Sequence, residues 1–333
     1  MKFWKLLFFN IMIFGTLTAV SSVSWFSMWM GLEINLLAII PLIANSKNIY
    51  SAEAAMKYFV IQTLASVILL YSLILSMSST EFLTMNMKNI SLISLNTALL
   101  SKMGAAPFHF WFPEIIEGLS WINSFIMLTW QKIAPMSIFM YNPKMLFLTT
   151  FVIITSMMIG ATMSLNQTSI RKILVYSSIN HIGWMLSCII FNQSIWLTYF
   201  MVYSFISLNL ILTFASTNIF YMKQMFSSLN SKKTLKILVY SSFLSMGGLP
   251  PFLGFFPKWI TINMMIEKNF FIAVLMIFIT LVMLFTYSRL MFNSMLVKNV
   301  EFKTQSLSTK KTVFLSFINF SAILITPLMY ILF

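Results

Sequence analysis

The chain has 333 residues, of which 59% are hydrophobic, 16% aromatic and only 8% charged, with a formal net charge of +14. Soluble domains average about 25% charged residues, so this composition excludes an ordinary water-soluble enzyme and implies an all-α polytopic membrane protein. Asp is absent, all seven acids are Glu, and the single cysteine, Cys188, rules out an internal disulfide or a thiolate-held cluster. The high Phe and Met counts, 34 and 28, fit an AT-rich coding sequence and carry no functional weight.

In chain order, the apolar run after Lys5 continues past Val20 without a small-residue cleavage site, so it reads as a first span and not as a signal peptide. No Arg- and Ser-rich transit segment is present either, so a mitochondrial protein of this sequence would be made inside the organelle. Apolar segments long enough to cross the hydrocarbon core then predict about eleven transmembrane helices. They cover 3–22, 25–44, 55–78, 91–107 with a continuation to 121, 123–140, 146–165, 172–190, 195–218, 237–256 with a continuation to 265, 270–292 and 312–332. Only 219–236 and 293–311 remain as substantial loops.

Charge tests this arrangement. With the N-terminus inside and the spans alternating, the inner flanks carry fifteen Lys and Arg, and the outer flanks carry only Lys88, Lys144 and Lys268. Three further lysines lie within spans, which completes the 21 basic residues. The asymmetry follows the positive-inside rule. It accounts for the net charge by topology and anionic lipid contact, with no nucleic-acid partner.

Within the apolar segments stand Glu33, Lys102, Lys132 and Lys258. A lysine at the bilayer centre costs roughly 2.5–3.5 kcal/mol even on the gentler insertion scales. A chain that keeps three of them with a carboxylate uses their charge, and proton or ion movement is the natural use. Glu33 and Lys132 each lie about nine residues into their spans, near the midplane, and Lys102 lies about eleven residues into its own. Glu33 is placed to pair with Lys102 and tune its hold on a proton; the plain alternative is a static ion pair. Snorkelling is the alternative for the lysines, and an interfacial anchor beside Trp259 for Lys258. His109 and His181 are possible proton shuttles, or else structural hydrogen-bonders. Glu114 and Glu117 are expected at the inner surface, and Arg171 and Lys172 as topology anchors. No dinucleotide fingerprint is present, and two distant histidines with one cysteine cannot alone build an ordinary haem or iron–sulfur site, so no metal or cofactor is expected here.

Two segments share a pattern at constant offset. Ser101, Gly104, Pro107, Phe108, Phe112 and Pro113 coincide with Ser245, Gly248, Pro251, Phe252, Phe256 and Pro257. Glycine and proline at such spacing interrupt a helix, and broken helices paired between two halves point to a transporter site. The offset implies two five-helix units, 3–140 and 146–292, with the second inverted in the membrane, and a C-terminal helix over 312–332. A second match, Lys172–Ser178 against Lys236–Ser242, does not fit that repeat.

Lys102-Met-Gly-Ala-Ala-Pro-Phe-His-Phe-Trp-Phe-Pro-Glu114, Trp130-Gln-Lys-Ile-Ala-Pro135, Asn166–Lys172 with Tyr176–Gly183, Gly247–Trp259 and the Met-Gly-Leu-Glu33-Ile-Asn segment together carry a resemblance over the whole chain. It resembles the antiporter-like, proton-pumping membrane subunits of mitochondrial NADH–ubiquinone oxidoreductase (complex I), in insect-type versions. The resemblance implies proton translocation through Glu33, Lys102, Lys132 and Lys258, driven by electron transfer from NADH to ubiquinone elsewhere in the complex. NADH, FMN, iron–sulfur clusters and ubiquinone would belong to other subunits. Implied partners are neighbouring membrane subunits and phospholipids such as cardiolipin, in the mitochondrial inner membrane, with the N-terminus in the matrix and the C-terminus in the intermembrane space. An independent monovalent-cation/proton antiporter and a non-pumping scaffold remain as other readings. The chain departs from the wider family at Pro113-Glu114 and Glu117-Gly118-Leu119, where Pro-Asp and Glu-Gly-Pro are usual. It also departs in placing Lys258 after its break, whereas Lys102 precedes its own.

Overall fold

A computed structural model describes residues 3–45, 48–82, 85–142, 145–230, 233–250 and 252–296. These residues are helical almost throughout, and seven helices among them are long and apolar enough to cross a membrane. The expected C-terminal helix at 312–332 and Pro251 lie outside the described residues. The chain divides into two compact units, Met1–Val152 and Ile153–Phe333.

In the first unit, α1 (Phe3–Ser21) and α2 (Trp25–Ile43) form a close hairpin. Ser24 caps α2 by accepting from the Ser27 amide at 3.3 Å. The hairpin is tight because Gly15 and Gly31 present no side chain: a Cβ on Gly31 would lie 2.6 Å from the Ala19 nitrogen. Small residues let membrane helices approach in this way. Gly31→Val is therefore expected to separate the hairpin and reduce recovery of assembled protein in mild detergent. Recovery equal to wild type would contradict that packing.

Helix α3 (Ile49–Phe82) packs on α2, on α4 (Met85–Met103) and on the short α5 (Trp111–Gly118). The span expected as one helix over 123–140 is two, α6 (Trp121–Leu128) and α7 (Trp130–Tyr141). At the junction the Phe125 carbonyl accepts both the Thr129 amide at 3.0 Å and the Thr129 hydroxyl at 2.8 Å. Pro135 removes a further backbone donor downstream.

Helix α8 (Leu146–Leu165) leads into the second unit, which holds α9 (Ile170–Phe191), α10 (Gln193–Thr217), α11 (Met222–Asn230), α12 (Lys233–Gly247), α13 (Phe255–Lys268) and α14 (Phe270–Leu296). α9 is the core, with residues from Ile173 to Ile189 buried without interruption. The segment expected as a loop over 219–236 contains α11. The Gln224 side chain starts it by accepting from the amides of Phe220 and Tyr221 at 2.9 and 3.2 Å. An antiparallel bridge between Ser169 and Tyr221 straps that start to the α8–α9 turn. Buried serines such as Ser72, Ser156, Ser177 and Ser178 donate to carbonyls three residues back, so their hydroxyls need no water.

Candidate functional site

Both expected breaks are present, and both open with the same helix-ending turn. α4 ends at Met103 and α5 begins at Trp111; α12 ends at Gly247 and α13 begins at Phe255. Gly104 and Gly248 have φ of 74° and 76°, the left-handed region that glycine occupies without a Cβ penalty. Each closes its helix through the same two bonds, Gly104 N to Ser101 O with Ala105 N to Leu100 O, and Gly248 N to Ser245 O with Leu249 N to Leu244 O. This is the Schellman motif, and it satisfies two of the carbonyls a helix end leaves open.

The remaining carbonyls explain why the two lysines sit on opposite sides of their breaks. In the second unit Lys258 Nζ, from the first turn of α13, donates to Met246 O at 3.0 Å and Gly247 O at 2.9 Å. In the first unit a neutral amide takes one of the two equivalent carbonyls, Gln62 Nε2 donating to Lys102 O at 3.4 Å. That frees the Lys102 side chain to face a cavity.

The cavity, about 20 Å³, is lined by Lys102 and Lys132 together with Asn35, Tyr58, Gln62 and Gln131. Lys102 and Lys132 are 6% and 1% exposed, too deep to snorkel. Lys132 follows the α6–α7 discontinuity and holds its ammonium 5.6 Å from the centre of the Phe112 ring, a cation–π contact. All three buried lysines thus stand beside helix ends. The break at Thr129 was not legible beforehand, because no glycine–proline signature marks it.

Glu33 is half-buried on α2. No ion pair of 4.0 Å or less joins Glu33 to Lys102; among the described residues such pairs join only Lys57 to Glu53 and to Glu114, at 3.0 and 2.9 Å. Glu114 stands exposed in the first turn of α5, where that turn's dipole favours a carboxylate. Neither Glu33 nor His109 lines the cavity. His109 is buried against Phe110, with Nδ1 3.3 Å from the Pro107 carbonyl.

In the second unit Lys258 is buried, with its ammonium 6.0 Å from the centre of the Trp184 ring. Trp184 lies one turn beyond His181 on α9, so the two share a helix face. His181 Nδ1 meets the Tyr199 hydroxyl at 2.8 Å, and the His181 and Tyr203 rings are 5.1 Å apart. Arg171 packs over the Phe220 ring at 4.7 Å, beside the strap that joins the α8–α9 turn to α11.

Long apolar helices, two of them broken by glycine, with buried lysines at the broken ends, define an antiporter-type membrane protein. The chain belongs to the NADH:quinone oxidoreductase/Mrp antiporter transmembrane family, whose pattern matches residues 22–285. It is 43% identical to NADH-ubiquinone oxidoreductase chain 2 of Anopheles gambiae over 98% of both chains. It is also 43% identical to the Locusta migratoria protein of that name, over 89% of this chain and 87% of that one. A chain of respiratory complex I from Thermus thermophilus has the same fold, with TM-score 0.87 and 21% identity over 98% of this chain and 78% of the other.

Proposed function

We propose that this chain translocates protons across the mitochondrial inner membrane as a core subunit of respiratory complex I, coupled to electron transfer from NADH to ubiquinone in other subunits. The observation that carries this reading is the cavity shared by Lys102 and Lys132, two buried ammonium groups facing common polar space. In a static scaffold, apolar residues would fill the same volume without the penalty of burying charge. Protons reach Lys102 from the inner side near the first break and pass to Lys132. They continue through the second unit by way of Lys258, with His181 a relay held in place by Tyr199. His109, beside the break, is a second candidate relay. Glu33 acts at a distance: a change in its field, driven by quinone chemistry elsewhere, weakens the hold of Lys102 on its proton.

The matching helix-ending turns at the two breaks support two five-helix repeats, 3–140 and 146–292. Counting α4 with α5, α6 with α7, and α12 with α13 as three interrupted crossings, added to the seven long helices, gives ten among the described residues; the eleventh expected crossing, 312–332, lies outside them. Fifteen basic residues against three favour an N-terminus in the matrix and a C-terminus in the intermembrane space. Neighbouring membrane subunits and anionic phospholipids such as cardiolipin are the partners this surface fits.

Lys102→Met tests the reading. It is expected to leave the complex assembled and oxidising NADH while removing this subunit's share of proton translocation, measured as protons moved per electron in sealed vesicles. A wild-type ratio in that variant would reject the proposal.

A further inference from the structure

Three polar side chains in the wall of the first-unit cavity hold one another. Asn35 Nδ2 donates to Gln131 Oε1 at 3.1 Å, and Gln131 Nε2 donates back to Asn35 Oδ1 at 3.0 Å. The Tyr58 hydroxyl adds a third bond, to Gln131 Oε1 at 3.3 Å. The residues come from α2, α7 and α3, and all line the same cavity as Lys102 and Lys132. Asn35 and Tyr58 are each 3% exposed, so their polar groups are built into the interior.

We propose that the reciprocal Asn35–Gln131 amide pair is the gate on water between Lys102 and Lys132, shut while the two amides satisfy each other and conducting once they part and hydrate. The inference rests on the proton-translocation reading above. A carboxamide is a poor proton carrier, so a proton passing from the Lys102 ammonium to a neutral Lys132 amine needs water. A cavity of about 20 Å³ has room for about one water, which is stable only with two to four polar partners. In the closed pair the amides spend their facing donor and acceptor on each other. Parted, they offer two donors and two acceptors to solvent. Because water replaces each bond that is broken, the exchange is nearly balanced, which a gate requires. Asn35 lies two residues from Glu33 on α2. The carboxylate assigned to drive the pump therefore stands on the helix that carries one half of the pair. Asn35, Gln131 and Tyr58 are positioning residues; the lysines carry the proton.

The test uses the assembled complex in sealed vesicles, read as protons moved per electron and as passive proton leak at rest. Asn35→Leu with Gln131→Leu keeps the volume but removes the hydratable groups. The share of translocation that depends on Lys102 is expected to fall about tenfold or more with NADH oxidation retained. An unchanged share would overturn the gate. Exchanging the two, Asn35→Gln with Gln131→Asn, preserves a reciprocal amide pair and is expected to bring that share back to within about twofold of wild type. An assembled exchange variant that stays inactive would also overturn it. Tyr58→Phe removes only the latch, and is expected to raise the resting leak about fivefold, the population change one neutral hydrogen bond commands. This arm stands even if the leucine pair fails to assemble, and no rise in leak refutes the gate. Lys102→Met run in parallel separates the two claims. If it leaves the proton ratio normal, the translocation reading fails and takes the gate with it. If it lowers the ratio while the amide variants behave as wild type, the gate alone fails.

Discussion

Gly254→Ala is expected to yield no stably assembled protein. Helix α13 begins beside Gly254, and a Cβ built there collides with the Ser245 carbonyl oxygen in the last turn of α12. The obstacle is backbone, and Ser245 O already accepts the Gly248 amide that closes α12, so neither strand of the break can step aside. Overpacking against a flexible side chain costs about 1–3 kcal/mol. A clash with fixed backbone belongs with the rare substitutions above about 4 kcal/mol. Gly247→Ala is the control. There the nearest atom to a new Cβ is Tyr287 Cδ2 at 3.5 Å, an ordinary contact. Alanine in a helix is favoured over glycine by roughly 0.5–1 kcal/mol, so this variant is expected to assemble like wild type or better. Complex recovered after native extraction distinguishes the two, and equal recovery would show that the tight passage at Gly254 is not required.

Lys258→Met is expected to lose proton translocation and stability together, whereas Lys132→Met loses translocation alone. Lys258 closes the accounts of α12: Leu244 and Ser245 carbonyls accept from the backbone, and Met246 and Gly247 carbonyls accept from its ammonium. Methionine would leave those two carbonyls without that donor, at about 1–3 kcal/mol for each unsatisfied buried group. Lys132 packs its ammonium on the Phe112 ring, and a methionine sulfur makes a comparable aromatic contact worth about 0.3–1.5 kcal/mol. Thermal inactivation of NADH oxidation reads stability, and the proton-to-electron ratio reads transport. A Lys258→Met complex as heat-resistant as Lys132→Met would argue against the capping role.

Much of this was legible in residue types and spacing. Apolar runs marked the helices, and α8 falls on its expected bounds of 146 and 165. The two breaks were readable because glycine and proline act locally: only Gly104 and Gly248 could take the left-handed turn that ends their helices. Charges in apolar runs singled out Lys102, Lys132 and Lys258, because burial in oil is costly wherever the chain folds. Less legible were signals that compete or act at a distance. α11 hid in a polar stretch because a short interfacial helix has no long apolar run. The break at Thr129 hid because no glycine or proline stands at it; the Phe125 carbonyl there accepts both the Thr129 amide and its hydroxyl.

The sequence by itself determined the class of protein, the positions of the two glycine–proline breaks and the identity of the buried charges, since each follows from one segment's chemistry in a membrane. Only the tertiary structure decided what each charge does. Gln62 caps the first break, so Lys102 can turn to the cavity it shares with Lys132. Among the described residues no such amide bonds the end of α12 in the second unit, and Lys258 supplies the cap. Asn35 and Gln131, 96 positions apart, meet only because α2 and α7 pack together. A hydrogen bond between distant helices depends on their relative placement to within an ångström, and no local pattern of residues encodes that.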